Sequence, residues 1–501
     1  MPSREFLAAD GARRYLGLSW PLVVGGLVYL VFVANGAIFF RDGDTYWHIA
    51  AGQWILEHGA VPAHDPYSFT MRGAPWTAHE WLSEVLLALA HDYAGWGGVV
   101  ALTALAFAGA IALLMRYCLV HLPPVHVLMF AALAILLCLS HLHARPHVLV
   151  MPLMVVWVAH LARASEANRA PSYWLLPLMV LWANLHGSFT FGLVLTAIFA
   201  LEGVLAAWKN QTLRSAILSW GGFLLLAIAA ALLTPHGVEG VLFTSKIFGG
   251  SYMLATIAEW QPTSFQYFQP LGLWLMAGLA VVLHQGIRLP WLRIVLVLML
   301  LYMALRHARN AELVGLLAPL VLAAPLSAYW QRKPARGKLL AAVNAFFDGL
   351  ARPASRRALA ASAAVLSLST YALLASNPPQ PKPHITPAAA LAAARQAGLD
   401  GPVLNAYVWG GYLIYKGIPV YIDGRADMYG DEFLKEYLEA LAIKTATGLE
   451  TLLDRHRIQW TLLGADTPAV SMLDHLPGWQ RLHADDHAVV HIRRPPEEGG
   501  S

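Results

Sequence analysis

Apolar runs long enough to cross a membrane recur along the first three quarters of the chain, and they leave few folds open. They lie at residues 16–40, 96–117, 124–142, 146–162, 171–186, 189–208, 215–234, 269–286, 289–305, 311–329 and 358–376, eleven in all. At about 1.5 Å of rise per residue such runs cover most or all of about 30 Å of hydrocarbon, where only a helix or a closed barrel satisfies its own backbone. Gly286 to Pro290 must then be a tight turn between the eighth and ninth runs. With 57% hydrophobic and 13% charged residues and a mean hydropathy of +0.52, a soluble globular protein of 501 residues is excluded. The expected fold is a polytopic α-helical membrane protein. A net charge of +4 dispersed over particular loops is no nucleic-acid surface. The two cysteines, Cys118 and Cys138, fall inside apolar runs and form neither a disulfide framework nor a Cys-type metal site.

The first run follows Arg13 and Arg14 and has no good cleavage site in Ala34-Asn35-Gly36, which reads as a retained signal anchor. With a cytoplasmic N-terminus, the inside segments hold Arg4, Arg13, Arg14, Arg116, Arg163, Arg169, Lys209, Arg214, Arg288, Arg293 and seven basic residues within 332–357. The short outside loops hold only Arg41, Arg72, Arg145, Lys246, Arg306 and Arg309. That asymmetry fixes the orientation by the positive-inside rule.

Every unusual polar cluster then falls on the outer face. Asp42, Asp44, His48, His79 and Glu80 belong to the loop after the first run. Further along come His141, His143, Arg145 and His147, then Asn184 and His186, His236, Glu259, and finally Arg306, His307 and Arg309. Ionisable groups at membrane depth are expensive unless they meet water or one another, so these segments are expected to line one wet cavity. Each element also has a plainer explanation. A lone histidine at a helix end usually caps or meets solvent, and Trp47, Trp54, Trp76 and Trp81 suit an interfacial belt. In the first loop, residues 44–58 carry the spacing of an amphipathic helix suited to the membrane interface, with Asp44 and His48 one turn apart. Thr77 to Glu80 reads as a capping box flanked by a Trp76/Trp81 staple, a structural alternative to a site role for Glu80.

Asp42-Gly43-Asp44 is an oxygen-ligand pair on a flexible hinge, able to bind Mg²⁺ or Mn²⁺ or to supply a general base. Arg145, Arg306 and Arg309 offer permanent charge and forked donors where a lipid phosphate would arrive, with His147 or His307 able to assist. Arg306 and Arg309, three residues apart on one helical face, would share an anion. For the arginines the plainer explanation is snorkelling to headgroups. His48, His79, Asn184, His186, His236 and Glu259 complete the candidate substrate-binding set.

An acidic motif in the first external loop, amphipathic helices there, eleven spans and a C-terminal extracytoplasmic domain resemble the GT-C superfamily of integral-membrane glycosyltransferases. That superfamily includes protein O-mannosyltransferases, the aminoarabinose transferases of lipid A and the catalytic subunit of oligosaccharyltransferase. The resemblance is architectural over the whole chain and motif-level only at Asp42, Asp44 and Glu80. It implies a polyprenyl-phosphate sugar donor and a first-loop acid that deprotonates the acceptor or helps hold a metal, which makes Asp44 the candidate base. It also implies a multi-pass protein of the bacterial inner (plasma) membrane, N-terminus cytoplasmic. The chain lacks the WWDYG-type motif of oligosaccharyltransferase, which argues against asparagine glycosylation. Two other readings stand beside it: a metal-independent polysaccharide ligase or polymerase, and a transporter or flippase of a lipid-linked or polar substrate. The acidic first loop argues against the former. Clustering of polar groups at one face, rather than at mid-membrane, argues against the latter.

The Pro-rich stretch 377–387 marks a linker between a membrane domain, 1–376 with its external loop 41–95, and a small extracytoplasmic α/β domain, 388–501. Strands are expected near 402–408, 418–422, 459–463 and 487–493, and helices at 387–397, 431–443 and 448–456. Asp423 and Arg425 suit either carbohydrate binding or a docking surface, paired to each other or to the membrane domain. Without a Rossmann glycine fingerprint or Walker sequence, nucleotide-sugar or ATP use is not expected.

Overall fold

The computed structural model describes residues 17–209, 212–247, 251–330 and 338–494. Arg4, Arg13, Arg14, Arg332, Lys333 and Arg336, used above for orientation, lie outside the described residues. The helices run α1 Trp20–Ala34, α2 Asp44–His58, α3 Trp81–Cys118, α4 Pro124–Cys138, α5 Pro146–Glu166, α6 Leu176–Leu185 and α7 Phe189–Lys209. They continue with α8 Leu213–Ala231, α9 Val238–Ile247, α10 Ser251–Thr256, α11 Pro270–Gln285, α12 Trp291–Arg306, α13 Ala311–Leu326, α14 Lys338–Ala351 and α15 Arg356–Ser376. A helix stands at each of the eleven positions expected to span. Among the described residues, seven helices are long and apolar enough to cross a membrane on their own measure, and α1, α6 with its preceding turn, and α11 are shorter apolar helices. This is a polytopic membrane protein.

Two breaks follow from residue chemistry. Inside α3 the backbone leaves the helix at Ala94 and Gly95, and Gly95 takes φ +56, a left-handed value that glycine adopts without cost. The external part of the helix is thereby separated from the span that begins at 96. Gly286, at φ +58, ends α11 with a left-handed cap and gives the short turn into α12. The largest core unites α1, α3, α4, α5, α7 and α13 through residues such as Phe107, Trp157, Trp182 and Leu316.

The C-terminal portion holds α16 Ala388–Gln396, α17 Gly410–Tyr415, α18 Ala426–Leu441, α19 Gly448–Arg455 and α20 Pro468–Leu473 around one sheet. Its strands β1 Val403–Asn405, β2 Trp460–Gly464, β3 Trp479–Ala484 and β4 Ala488–Arg493 stand in the order β1-β2-β4-β3. β1 and β2 are parallel, and β2, β4 and β3 are antiparallel. The expected strand at 418–422 does not join this sheet. Val420 bridges instead to Ser68 of the first loop, because the C-terminal segment is packed on that loop. β3 was not expected from the sequence: four of its six residues are exposed or half-exposed polar side chains and Leu482, so it lacks a buried alternation.

Helix α2 is likewise corrected. Tyr46, Trp47, His48, Ile49, Ala51 and Ile55 are buried, and one core joins Tyr46, Trp47 and Trp76 to Trp409, Tyr412 and Leu413 around α17. The helix is covered by the C-terminal portion and does not lie as an exposed amphipathic element.

Candidate active site

A cavity of about 1040 Å³ opens between one end of the membrane helices, the first loop and the C-terminal portion. Its polar centre is Arg145, which precedes α5. Nη1 stands 2.7 Å from Asp42 Oδ2 and 3.1 Å from Glu259 Oε2, and Nη2 stands 2.8 Å from Asp44 Oδ2. Asp42 Oδ1 also accepts the backbone N–H of Asp44 at 2.9 Å, so the Asp-Gly-Asp segment is folded onto itself at the start of α2. Glu259 is shared: Arg309 Nη1 lies 2.9 Å from Oε1, and His141 Nε2 lies 2.8 Å from Oε2. The Arg309 guanidinium stacks 4.5 Å over Trp260.

Asp42, Asp44 and Glu259 crowd the Arg145 guanidinium, and the charged form of Asp44 is disfavoured there. Burial and the neighbouring Asp42 push its pKa up to about 7, against the opposing pull of Arg145. Glu259 goes the other way. Burial disfavours its charge, but Arg145 and Arg309 outweigh burial and hold it well below the usual carboxylate range. Glu80 is raised to about 7 by burial, opposed by Arg145 and Arg309. It faces His186 Nε2 at 3.3 Å and His79 Nε2 at 3.7 Å, and burial lowers the pKa of His79.

Of the residues singled out from sequence, Asp42, Asp44, His79, Glu80, Arg145, His147, His186, Glu259, Arg306 and Arg309 line this cavity. His48, Asn184 and His236 do not. His48 is buried behind two lining residues, its ring 3.6 Å from that of Trp47 and its Nδ1 3.7 Å from Glu84 Oε1, where burial keeps its pKa well below the ordinary value. Asn184 joins helices: its Oδ1 accepts from Trp81 Nε1 at 2.8 Å and its Nδ2 donates to the Leu233 carbonyl at 2.9 Å. The capping box does not form. Glu80 itself occupies the cap position of α3 with no side-chain bond to the backbone, leaving its carboxylate for the histidines. Trp81 is committed to Asn184 rather than to a staple. Arg306 and Arg309 are not on one helical turn either, since α12 ends at Arg306 and His307 is extended; Arg306 bonds Tyr302 Oη at 2.9 Å while Arg309 turns to Glu259.

The C-terminal portion supplies the roof, and Asp423 and Arg425 pair with each other and with Asp65 of the first loop, the docking arrangement expected as one of their two readings. Tyr407, Val408, Gly424, Arg425 and Asp427 line the cavity. A Cβ on Gly424 would sit 1.8 Å from Asp44 Oδ1, so only glycine lets this loop rest on that carboxylate. Asp427 faces the cavity, its pKa raised by burial against the pull of His79. The signal lay in Asp423-Gly424-Arg425-Ala426-Asp427, which repeats the acidic-glycine pattern of the first loop. Beside the cavity, His141, His147 and Glu312 bring potential metal-ligating atoms within 4.8 Å of one another. The Asp42/Asp44 pair, in contrast, is already spanned by Arg145.

No family model matches the chain, and no curated protein matches it. Solved structures do. The archaeal oligosaccharyltransferase AglB from Archaeoglobus fulgidus, in complex with an inhibitory peptide and a dolichol-phosphate, superposes with a TM-score of 0.50 at 11% identity, over 89% of this chain and 70% of that one. The apo form of the A. fulgidus oligosaccharyltransferase gives 0.51 at 10% identity, over 89% and 69%. ArnT from Cupriavidus metallidurans bound to undecaprenyl phosphate gives 0.47 at 14% identity, over 95% and 100%. The chain shares its fold with these A. fulgidus structures, a polytopic helical domain with a small C-terminal α/β portion.

Proposed function

We propose that this protein transfers a sugar, hexosyl or pentosyl, from a polyprenyl-phosphate donor to an extracytoplasmic acceptor, with Asp44 as general base. The observation that carries the proposal is the Asp44–Arg145 pair, 2.8 Å apart in a partly wet cavity, with Asp44 at a pKa of about 7. A carboxyl tuned to neutral pH is poised to accept a proton from a hydroxyl as that oxygen attacks. The solved relatives with this fold add weight: AglB was captured with a dolichol-phosphate.

In the reaction, the acceptor oxygen forms a bond to the sugar's anomeric carbon while the bond to the lipid phosphate breaks. The acceptor proton passes to Asp44, and the phosphate departs with the bonding electrons. Arg306 and Arg309 border the cavity from the end of α12 and face the developing phosphate charge. Glu259 anchors Arg309 and Arg145 on one carboxylate, and Glu80 with His186 and His79 forms the opposite wall for the sugar or the acceptor. Mg²⁺ or Mn²⁺ on Asp42 and Asp44 would have to displace the guanidinium that spans both, so no step is assigned to such an ion. We read residues 1–376 as the catalytic membrane domain in a bacterial inner membrane, N-terminus cytoplasmic. Residues 377–387 are then the linker, and 388–501 the extracytoplasmic domain that covers the site.

Purified wild type and Asp44→Asn, supplied with radiolabelled polyprenyl-phosphate sugars and a cell-envelope extract, test this. Label moved to a new species by wild type and not by the variant is expected. Binding of donor without cleavage by either protein would sink the proposal in favour of lipid-substrate transport.

A further inference from the structure

Beside the cavity, which His147 also lines, three membrane helices bring buried polar side chains together. His141 ends the segment after α4, His147 lies in the first turn of α5, and Glu312 in the first turn of α13. Their relative exposures are 5%, 4% and 8%. His141 Nε2 stands 2.8 Å from Glu259 Oε2. Because Arg145 and Arg309 keep Glu259 ionised, that oxygen only accepts, and Nε2 must carry the proton. The lone pair of His141 Nδ1 then points inward, 3.7 Å from Glu312 Oε2, and neither atom has a hydrogen-bond partner. Two facing acceptors, buried and unpartnered, call for a cation between them. At 3.7 Å the gap is too long for a direct hydrogen bond. It approaches the ~3.4 Å that separates N and O ligands on a tetrahedral ion with bonds of about 2.0–2.1 Å.

We propose that His141 Nδ1, His147 Nε2 and Glu312 bind a divalent transition-metal ion of the zinc class, separate from the Asp42/Asp44 pair. His141 is arranged as ligating histidines usually are, its other ring nitrogen donating to a carboxylate. His147 Nε2 lies 4.0 Å from Glu312 Oε2 and now donates to the His141 carbonyl at 2.9 Å. Binding exchanges that hydrogen bond for a coordination bond, the neutral ring then carrying its one proton on Nδ1. The ion ties the cavity ends of α4, α5 and α13 together. Through His141 it fixes Glu259, and through Glu259 it fixes Arg145 and Arg309. His141, His147 and Glu312 act as positioning residues here.

Metal content of the full-length protein in detergent tests this without any donor or acceptor, so it stands or falls apart from the transferase proposal. After stripping with a chelator and returning Zn²⁺, wild type is expected to retain about one equivalent and to melt at a higher temperature with Zn²⁺ than without. Glu312→Gln and His147→Gln are expected to retain less than about a tenth of that and to show no Zn²⁺-dependent shift. Asp42→Asn is expected to bind Zn²⁺ as wild type does. Should a variant fail to fold, Co²⁺ in wild type gives the intense visible bands of a four-coordinate N/O site. Wild type without bound metal would overturn the assignment and leave a protonated His141 between two glutamates. Zn²⁺ lost in Asp42→Asn but kept in Glu312→Gln would overturn it as well.

Discussion

The chain contains two Asp-Gly motifs that each pair with an arginine, and they behave as opposites. Asp42-Gly43-Asp44 meets Arg145, while Asp423-Gly424-Arg425 is closed on itself and on Asp65 of the first loop. Arg425 Nη1 lies 2.7 Å from Asp65 Oδ1 and Nη2 2.6 Å from Asp423 Oδ2, with side chains 0–1% exposed. Every carboxylate oxygen there has a donor: Tyr429 Oη bonds Asp423, and Ser68 and the backbone N–H groups of Tyr67 and Ser68 bond Asp65. Asp423 is accordingly depressed, since Arg425 outweighs the burial that would raise it. Around Arg145 the side chains are 16–24% exposed, and three carboxylates crowd one guanidinium. The dry, fully bonded set is a clamp; the more exposed set lines the cavity and holds a carboxyl raised toward neutral pH.

The largest expected effect separates the two. Asp44→Asn is expected to lower transfer by about 10²–10⁴-fold while the melting temperature holds, because it removes a base and leaves the packing intact. Asp423→Ala should do the reverse. Arg425 keeps Asp65 but loses the partner of its Nε and Nη2 in a dry interior, which is expected to cost about 1–3 kcal/mol of stability, read as a drop in melting temperature. Loss of activity without loss of stability in Asp423→Ala would mean the clamp is itself part of the site.

Gly424 joins the two regions and gives a test of intermediate size. With its Cβ position 1.8 Å from Asp44 Oδ1, Gly424→Ala must move either the roof or the carboxylate. A shift of about 1 Å at a reacting group lowers turnover about 10²-fold, measured as kcat with the fold retained. Wild-type turnover in this variant would show that the roof stands clear of the reacting atoms.

This division was only partly visible in the sequence. The spans were legible because lipid allows no other backbone solution, and the residues of the cavity stood out because polar groups at that depth are rare. Arg145, Arg309 and Glu259 could be placed on a common face for that reason. What could not be read depends on distant packing. The burial of α2 requires α17, more than 350 residues later in the chain. Asn184 looked like a site amide because an amide that bonds two helices has the same sequence signature as one that bonds a sugar. Arg306 and Arg309 looked like one helical face because nothing in Arg306-His307-Ala308-Arg309 marks the helix end. Glu312, a single acid at the start of an apolar span, gave no motif at all.

Acidification offers the finest separation between the two regions. Asp44 and Glu80, both raised to about 7, are charged above that pH at a cost to the folded state. Their folded pKa values lie above the unfolded ones, so lowering the pH through about 7 toward the ordinary carboxylate range relieves that cost. Asp423 has the opposite sign. Its folded pKa is depressed, so its stabilisation is complete above the unfolded value and is lost only as pH falls through the folded one. Between about pH 8 and pH 5, therefore, the clamp stays intact while the base is protonated. Transfer is expected to fall about tenfold per pH unit below about 7, with the melting temperature level or rising over the same range. A melting temperature that falls in step with activity would mean that the carboxyls near Arg145 stabilise the fold as Asp423 does, and the contrast between the two arginine sites would collapse.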